Sequence, residues 1–247
     1  LIGLVGSEMC IRDRHQAEQL TPELAALCPA YVYVPVEILD TDFPRVAPFL
    51  EQGAQVVAVL PRVIADNEAA AVYDMLSRMF DQGVNEALVG NLGHAMLAKK
   101  AGMKLRGDFG LNTFNALSME VIRQAGFISA TASFELRLSQ IRDMIKPLDT
   151  ELIIYGRIPL MVSDQCIIRH SAGRCNCQTP GQMADRMGSV FPVVKEFGCR
   201  NVIYNAHKLY LADKAEDVYA AGAWGLRMMF TTCLLYTSPS PRDRSVS

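Results

Sequence analysis

The sequence predicts an α/β chain built as a partial (β/α) barrel with a cysteine-rich insertion, and three observations carry that reading. From residue 30 onward β-rich apolar runs alternate with helical patterns in units of about 20 to 25 residues, the order expected of parallel strands joined by crossover helices. The helical patterns keep closing on glycine, at Gly53, Gly83, Gly102 and Gly126, the left-handed stop that returns a chain to its next strand. No G-x-G-x-x-G turn opens a helix, which argues against a dinucleotide-binding sheet, and six successive units favour TIM-barrel-like closure over an open sheet.

AYVYVPVEIL (30–39) reads as the first strand, followed by the short helix FPRVAPFLEQG (43–53). AQVVAVLPRVI (54–64) is the second strand, and NEAAAVYDMLSRMFDQG (67–83) is a helix with Ala71, Met75, Leu76 and Met79 on one face. NEALVGNLG pairs with HAMLAKKAG, KLRGDFGLNTF with NALSMEVIRQAG, and FISATASFEL with LSQIRDMI; ELIIYGRIPLMV (151–162) is the sixth strand. The pattern then breaks. Residues 163–200 are polar and weakly periodic and read as a long loop, after which NVIYN and KAEDVYAAG resume strand and helix.

The chain has 247 residues, 50% of them hydrophobic and 20% charged, which suits one large domain (15–232) with a real core. Its formal charge of -2 gives no general field for a nucleic-acid backbone, though a local basic groove is compatible with it. No apolar run approaches the roughly 18 residues that span a bilayer, so no membrane anchor is expected. Residues 1–14 and 233–247 are set apart. One codon path for LVGSEMCIRD, read as its reverse complement in a shifted frame, encodes CLLYTSPSPRD, and the DNA resembles a transposase sequencing adapter. Both ends are therefore expected to be artefactual.

Of seven cysteines, this leaves Cys28, Cys166, Cys175, Cys177 and Cys199. An odd number without a visible signal peptide predicts a reducing, cytoplasmic setting. Cys28 reads as a small buried hydrophobe. The other four lie in the insertion with one C-x-C and no pair of C-x-x-C knuckles, a poor match to structural zinc and an easier one to an iron–sulfur cluster. A Cys166–His170 nucleophile is the alternative catalytic use, with His170 also readable as a solvated loop residue. His94, beside GNLG, reads as a surface residue.

ELIIYGRIPLMVSDQC, the cysteine-rich segment, DRMGSVFPVV and GCRNVIYN together resemble the collagenase-like peptidase family U-thirty-two, and GNLG, GDFGLNTFN and SFELRLSQIR fit the same family. The resemblance covers about residues 30–232. It implies a TIM-barrel-like domain whose four cysteines, here Cys166, Cys175, Cys177 and Cys199, carry a 4Fe-4S cluster as metal ligands, zinc being the alternative. Many members have a further cysteine where this chain has Pro159, so the C-x-C pair supplies two ligands. The resemblance further implies an oxygen-independent hydroxylase or hydroxylation factor, with RNA the leading substrate, a small molecule the alternative, and a prephenate-like compound as oxygen donor. A partner subunit is compatible with this.

Strand-end positions supply the candidate pocket. Asp108, Glu135 and Arg157 are the catalytic candidates, and Asn91, Asn112 and Asn115 the substrate-binding ones. Arg157 suits a bidentate clamp on a carboxylate, or a surface ion pair. Asn112 and Asn115 suit caps for the following helix at least as well as ligand contact. Asp108 and Glu135 suit either a carboxylate pair for proteolysis or a salt-bridged scaffold. The rival functions are thus a peptidase using that pair and a non-catalytic barrel subunit stapled by metal; no G-x-S-x-G elbow or H-E-x-x-H helix supports proteolysis otherwise.

Overall fold

The computed structural model describes residues 10–174 and 181–232. Eight parallel strands form a ring: β1 (Cys10–Arg14), β2 (Tyr31–Pro35), β3 (Gln55–Val59), β4 (Glu86–Val89), β5 (Lys104–Gly107), β6 (Phe127–Thr131), β7 (Asp149–Gly156) and β13 (Gly225–Phe230). Each pairs with the next, β7 pairs with β13, and β13 pairs with β1, so the barrel is closed. Cys10–Arg14 falls inside the segment read as adapter-derived, and all five of its residues are buried. A short strand β12 (Leu209–Tyr210) adds to β7 in antiparallel sense.

Strands in such a ring are covered on both faces, which is why they read as unbroken apolar runs: Val56, Val57 and Ala58 are all fully buried. The helices are α1 (Pro22–Ala25), α2 (Val36–Glu51), α3 (Ala69–Asp81), α4 (Ala95–Lys100), α5 (Ala116–Gln124), α6 (Leu138–Asp143), α7 (Ile167–Ala172) and α8 (Ala215–Ala220). In α3 the buried stripe is Val72, Leu76 and Met79, with Met75 at its edge; Ala71 is exposed, so the stripe lies one position over from the reading above. Gly53, Gly83, Gly102 and Gly126 all have positive φ, as their place after a helix requires.

The first strand stops at Pro35 rather than Leu39. Val36 and Leu39 instead open α2 and point into the helix–strand core, the β-branched run having disguised a helical spacing. The stretch 151–162 is two strands: Gly156, at φ 126, ends β7, and β8 (Pro159–Ser163) leaves the barrel. Cys28 is exposed rather than buried. It follows α1 with φ 45, a left-handed turn that carries its side chain outward.

The segment 163–200 is not a structureless loop. Within it α7, β9 (Gly181–Ala184) and β10 (Val190–Lys195) combine with β8 and β11 (Asn201–Tyr204) into an antiparallel sheet of order β8-β11-β10-β9. Its strands are short and interrupted by proline and glycine, so no long periodic run announces them. Ile168 of α7 packs on Val193 and Ile203, and burial of side chains of this size contributes roughly 1.5–3 kcal/mol each. The other face of the sheet, through Val162, Val194, Val202 and Tyr204, roofs the C-terminal mouth of the barrel.

Candidate active site

The barrel interior is charged where a (β/α) barrel is usually filled with aliphatic side chains. Arg106 on β5 donates to Glu86 at 2.5 Å and to Ser129 at 3.0 Å, and lies 3.5 Å from Glu151. Glu151, fully buried on β7, also accepts from Tyr33 at 2.7 Å, Ser129 at 2.8 Å and Thr131 at 3.1 Å. The Arg106 guanidinium stacks over Tyr31 and Trp224, which shields it from water. Burial, with the Glu151 charge beside it, raises the Tyr33 phenol well above its ordinary pKa and keeps it a hydrogen-bond donor. Nearer the mouth Arg227 bridges Asp13 and Asp108, each at 2.5 Å.

Above that layer lies a cavity of about 230 Å³ enclosed between the strand ends and the cap. Val59, Leu60, Val162, Val194 and Val202 give it apolar walls, while Glu37, Arg62, Asp108, Glu196 and Tyr204 bring polar groups to it. Burial raises the pKa of Glu37, and the neighbouring Glu196 charge adds to the rise. Arg62 follows β3, lies over the Phe109 ring at 5.1 Å, and forms no ion pair among the described residues. It also lines an outer groove with Asn91, Leu92, Leu160 and Met161, so it stands where that groove meets the cavity. The two glycine motifs make room for it. A Cβ at Gly110 would stand 2.5 Å from the Gly90 carbonyl oxygen and 3.0 Å from Arg62 Nε.

Of the residues chosen from the sequence, Asp108 reaches the cavity; it accepts from Arg227 and from the Phe109 N–H at 2.8 Å. Glu135 is exposed, lies outside that cavity and shares no hydrogen bond with Asp108. Arg157 turns its guanidinium onto the carbonyls of Asn205, at 2.8 Å, and Ala206, which fastens β7 to the chain after β11. Asn91 accepts from Gly93 N–H at 3.0 Å and lines the outer groove. Asn112 occupies the left-handed end of the turn Phe109–Leu111, and Asn115 caps α5 by accepting from Ser118 N–H at 2.9 Å. His94 is buried rather than at the surface, and burial lowers its pKa. His170 is exposed on α7.

The two described cysteines of the insertion flank the Ser163–Asn201 pairing of the cap. Cys166 caps α7, its Sγ accepting from Arg169 N–H at 3.3 Å. Cys199 is exposed, with φ 63, just before β11. Asn201 draws the segments together by accepting from Ile167 N–H at 2.6 Å and Ile168 N–H at 3.3 Å. Arg200 does the same through Asp164 at 2.9 Å, and its second contact, to Glu68 at 3.0 Å, ties the cap to the barrel. Cys175 and Cys177 lie outside the described residues. Among the described residues no three His, Cys, Asp or Glu side chains are grouped to hold a metal. A half-buried thiol at Cys166 and an exposed one at Cys199 suit the soft, sulfur-only donor set that iron–sulfur clusters take.

Residues 42–223 match the model of peptidase family U32. The chain belongs to that family.

Among curated relatives, the 23S rRNA 5-hydroxycytidine C2501 synthase of Escherichia coli (strain K12) is 23% identical over 187 residues, covering 71% of this chain and 27% of the synthase. The chain thus spans about a quarter of the length of that relative. Among solved structures, the U32 peptidase Mk0906 is similar at 14% identity and a TM-score of 0.41, covering 60% of this chain and 69% of that one. A FabK mutant of Thermotoga maritima is similar at 11% identity and a TM-score of 0.45, covering 93% and 64%. Within this family member, no helix among the described residues is long and apolar enough to cross a membrane.

Sequence reasoning missed Glu37, Arg62 and Glu196. The first two follow the C-terminal ends of β2 and β3, the same positional rule that selected Asn91 and Asp108, so a signal was present. Glu196 belongs to the cap and carried none.

Proposed function

We propose that this U32 family member is an oxygen-independent RNA hydroxylase, or the hydroxylation factor of one, in which Cys166, Cys175, Cys177 and Cys199 hold a 4Fe-4S cluster. The observation that carries the reading is the cap: Cys166 and Cys199 lie in the connections next to the Ser163–Asn201 pairing of a small sheet, and one face of that sheet walls the cavity at the barrel mouth. The name of the E. coli relative, an RNA hydroxycytidine synthase, supports RNA as the substrate class. A cluster bound there supplies electron transfer or a Lewis-acidic iron.

The chain's own residues have separable tasks. Apolar walls keep water from the reacting group. Arg62, which has no ion-pair partner among the described residues, offers its guanidinium to an anion, either a phosphate of the RNA or the carboxylate of a prephenate-like oxygen donor. Arg227 holds Asp108 at the cavity floor with a fixed orientation. A peptidase acting through Asp108 and Glu135 is the alternative, less favoured because Asp108 lines the cavity while Glu135 is exposed outside it.

Total RNA from cells carrying or lacking the gene, digested to nucleosides and analysed by mass spectrometry, tests the reading. A hydroxylated nucleoside that appears with the gene and disappears with Cys166→Ser is expected. Identical nucleoside profiles with and without the gene would overturn it.

A further inference from the structure

Among the described residues that line the mouth cavity, Glu196 brings a buried carboxyl oxygen that has no hydrogen-bond partner. Glu196 ends β10 as the chain turns toward Phe197–Cys199. Its backbone N–H donates to the Arg200 carbonyl at 2.7 Å, which fixes the main chain, and its Oε1 accepts the Arg62 N–H at 3.4 Å, which holds the side chain. Oε2 is buried without a hydrogen-bond partner among the described residues. The same residue lines the cavity beside Val194 and Val202. An unpartnered carboxylate oxygen in such surroundings is costly, whereas a carboxylic acid can keep its proton until a substrate accepts it.

We propose that Glu196 is the proton donor of the mouth cavity, with its Oε2–H directed at the substrate that fills it. This rests on the reading of that cavity as the reaction site. In the step, the Oε2–H bond breaks, the proton passes to a substrate heteroatom, and the carboxylate left behind regains a proton from water. The groups around it are Glu37 at the start of α2, His15 after β1, Arg62 after β3, and Arg200 and Tyr204 around β11. Burial pushes the Glu196 carboxyl above the ordinary carboxylate range, while the Arg62 N–H and the charges of His15, Arg62 and Arg200 partly oppose the rise. Those same positive groups stabilise the carboxylate once the proton has gone. Tyr204 stays protonated, because burial first and the Glu196 charge second raise its pKa.

Two measurements on the anaerobically purified chain decide the matter. Infrared difference spectra of wild type against Glu196→Gln at pH 7 are expected to show a protonated carboxyl band that the variant lacks; a difference spectrum showing only an ionised carboxylate would overturn the proposal. Hydroxylation by Glu196→Gln is expected to fall about a hundredfold or more, with iron content and thermal midpoint unchanged. Glu196→Asp should retain part of the activity with its pH profile displaced. Wild-type rate and pH profile in Glu196→Gln would also overturn the proposal. Should wild type form no hydroxylated nucleoside, the functional reading fails and the infrared result alone decides the proton donor. Should Glu196→Gln fail to fold, Glu196→Asp and the infrared pH titration carry both comparisons.

Discussion

Replacing Arg106 by methionine tests whether the charged barrel interior is a single interdependent network. Arg106 provides the counter-charge for Glu86 at 2.5 Å and for Glu151 at 3.5 Å, and both carboxylates are buried, Glu151 completely. Methionine fills much of the same space and keeps contact with Tyr31 and Trp224, so the main change is electrostatic. Removing one partner of a buried ion pair costs about 3–5 kcal/mol, because the remaining charge has lost its compensation. Arg106→Met is therefore expected to lose about that much stability at pH 7. The sign with pH follows from linkage. In the variant the penalty falls on the charged form of these buried carboxylates, so protonation relieves it and the loss of stability is expected to shrink toward acid pH. Urea denaturation at pH 5 and pH 8, followed by far-ultraviolet circular dichroism and by Trp224, the single tryptophan, reads both effects. A loss under about 1 kcal/mol, or a loss that does not shrink toward pH 5, would refute the reasoning.

Other consequences can be measured in the same way. Asn115→Ala removes the α5 cap and should cost about 1 kcal/mol in urea denaturation, while Asn115→Asp, which still accepts the Ser118 N–H, should cost little. Gly110→Ala forces a side chain against the Gly90 carbonyl, and should lower the thermal midpoint and reduce the proposed hydroxylation together, since the shift displaces Arg62. Glu37 has a raised pKa, so wild type loses stability as pH rises through that value. Glu37→Gln should flatten this dependence, matching wild type near pH 4 and exceeding it near pH 8 in thermal melts.

Much of the barrel was legible because doubly covered parallel strands and glycine-stopped helices leave strong local marks. Val56–Ala58 and the four glycines after helices illustrate both. Boundaries were harder to read where one pattern ran into another. Val36–Leu39 is β-branched and apolar enough to extend a strand on paper, yet its spacing buries it as a helix. Of the cap, β11 and most of β8 read as strand, but β9, β10 and the assembly of the sheet were illegible, because its strands have four to six residues and pair antiparallel across the insertion, so its order depends on contacts far apart in the sequence. The pocket was legible only by position. That rule found Asp108, but it could not distinguish Arg157, whose guanidinium is bound to carbonyls, from Arg62, whose guanidinium faces the cavity. The cysteines stood out by number alone. The contacts of Asn201 with Ile167 and of Arg200 with Asp164, which join the segments carrying Cys166 and Cys199, left no motif in the sequence.

The most direct test of the central claim is iron and acid-labile sulfide analysis of the chain purified or reconstituted without oxygen. About four iron and four sulfide per chain are expected, with loss of both in Cys166→Ser and in Cys199→Ser while the barrel still melts cooperatively. A reconstituted chain with neither iron nor sulfide, or one whose iron survives both substitutions, would contradict it.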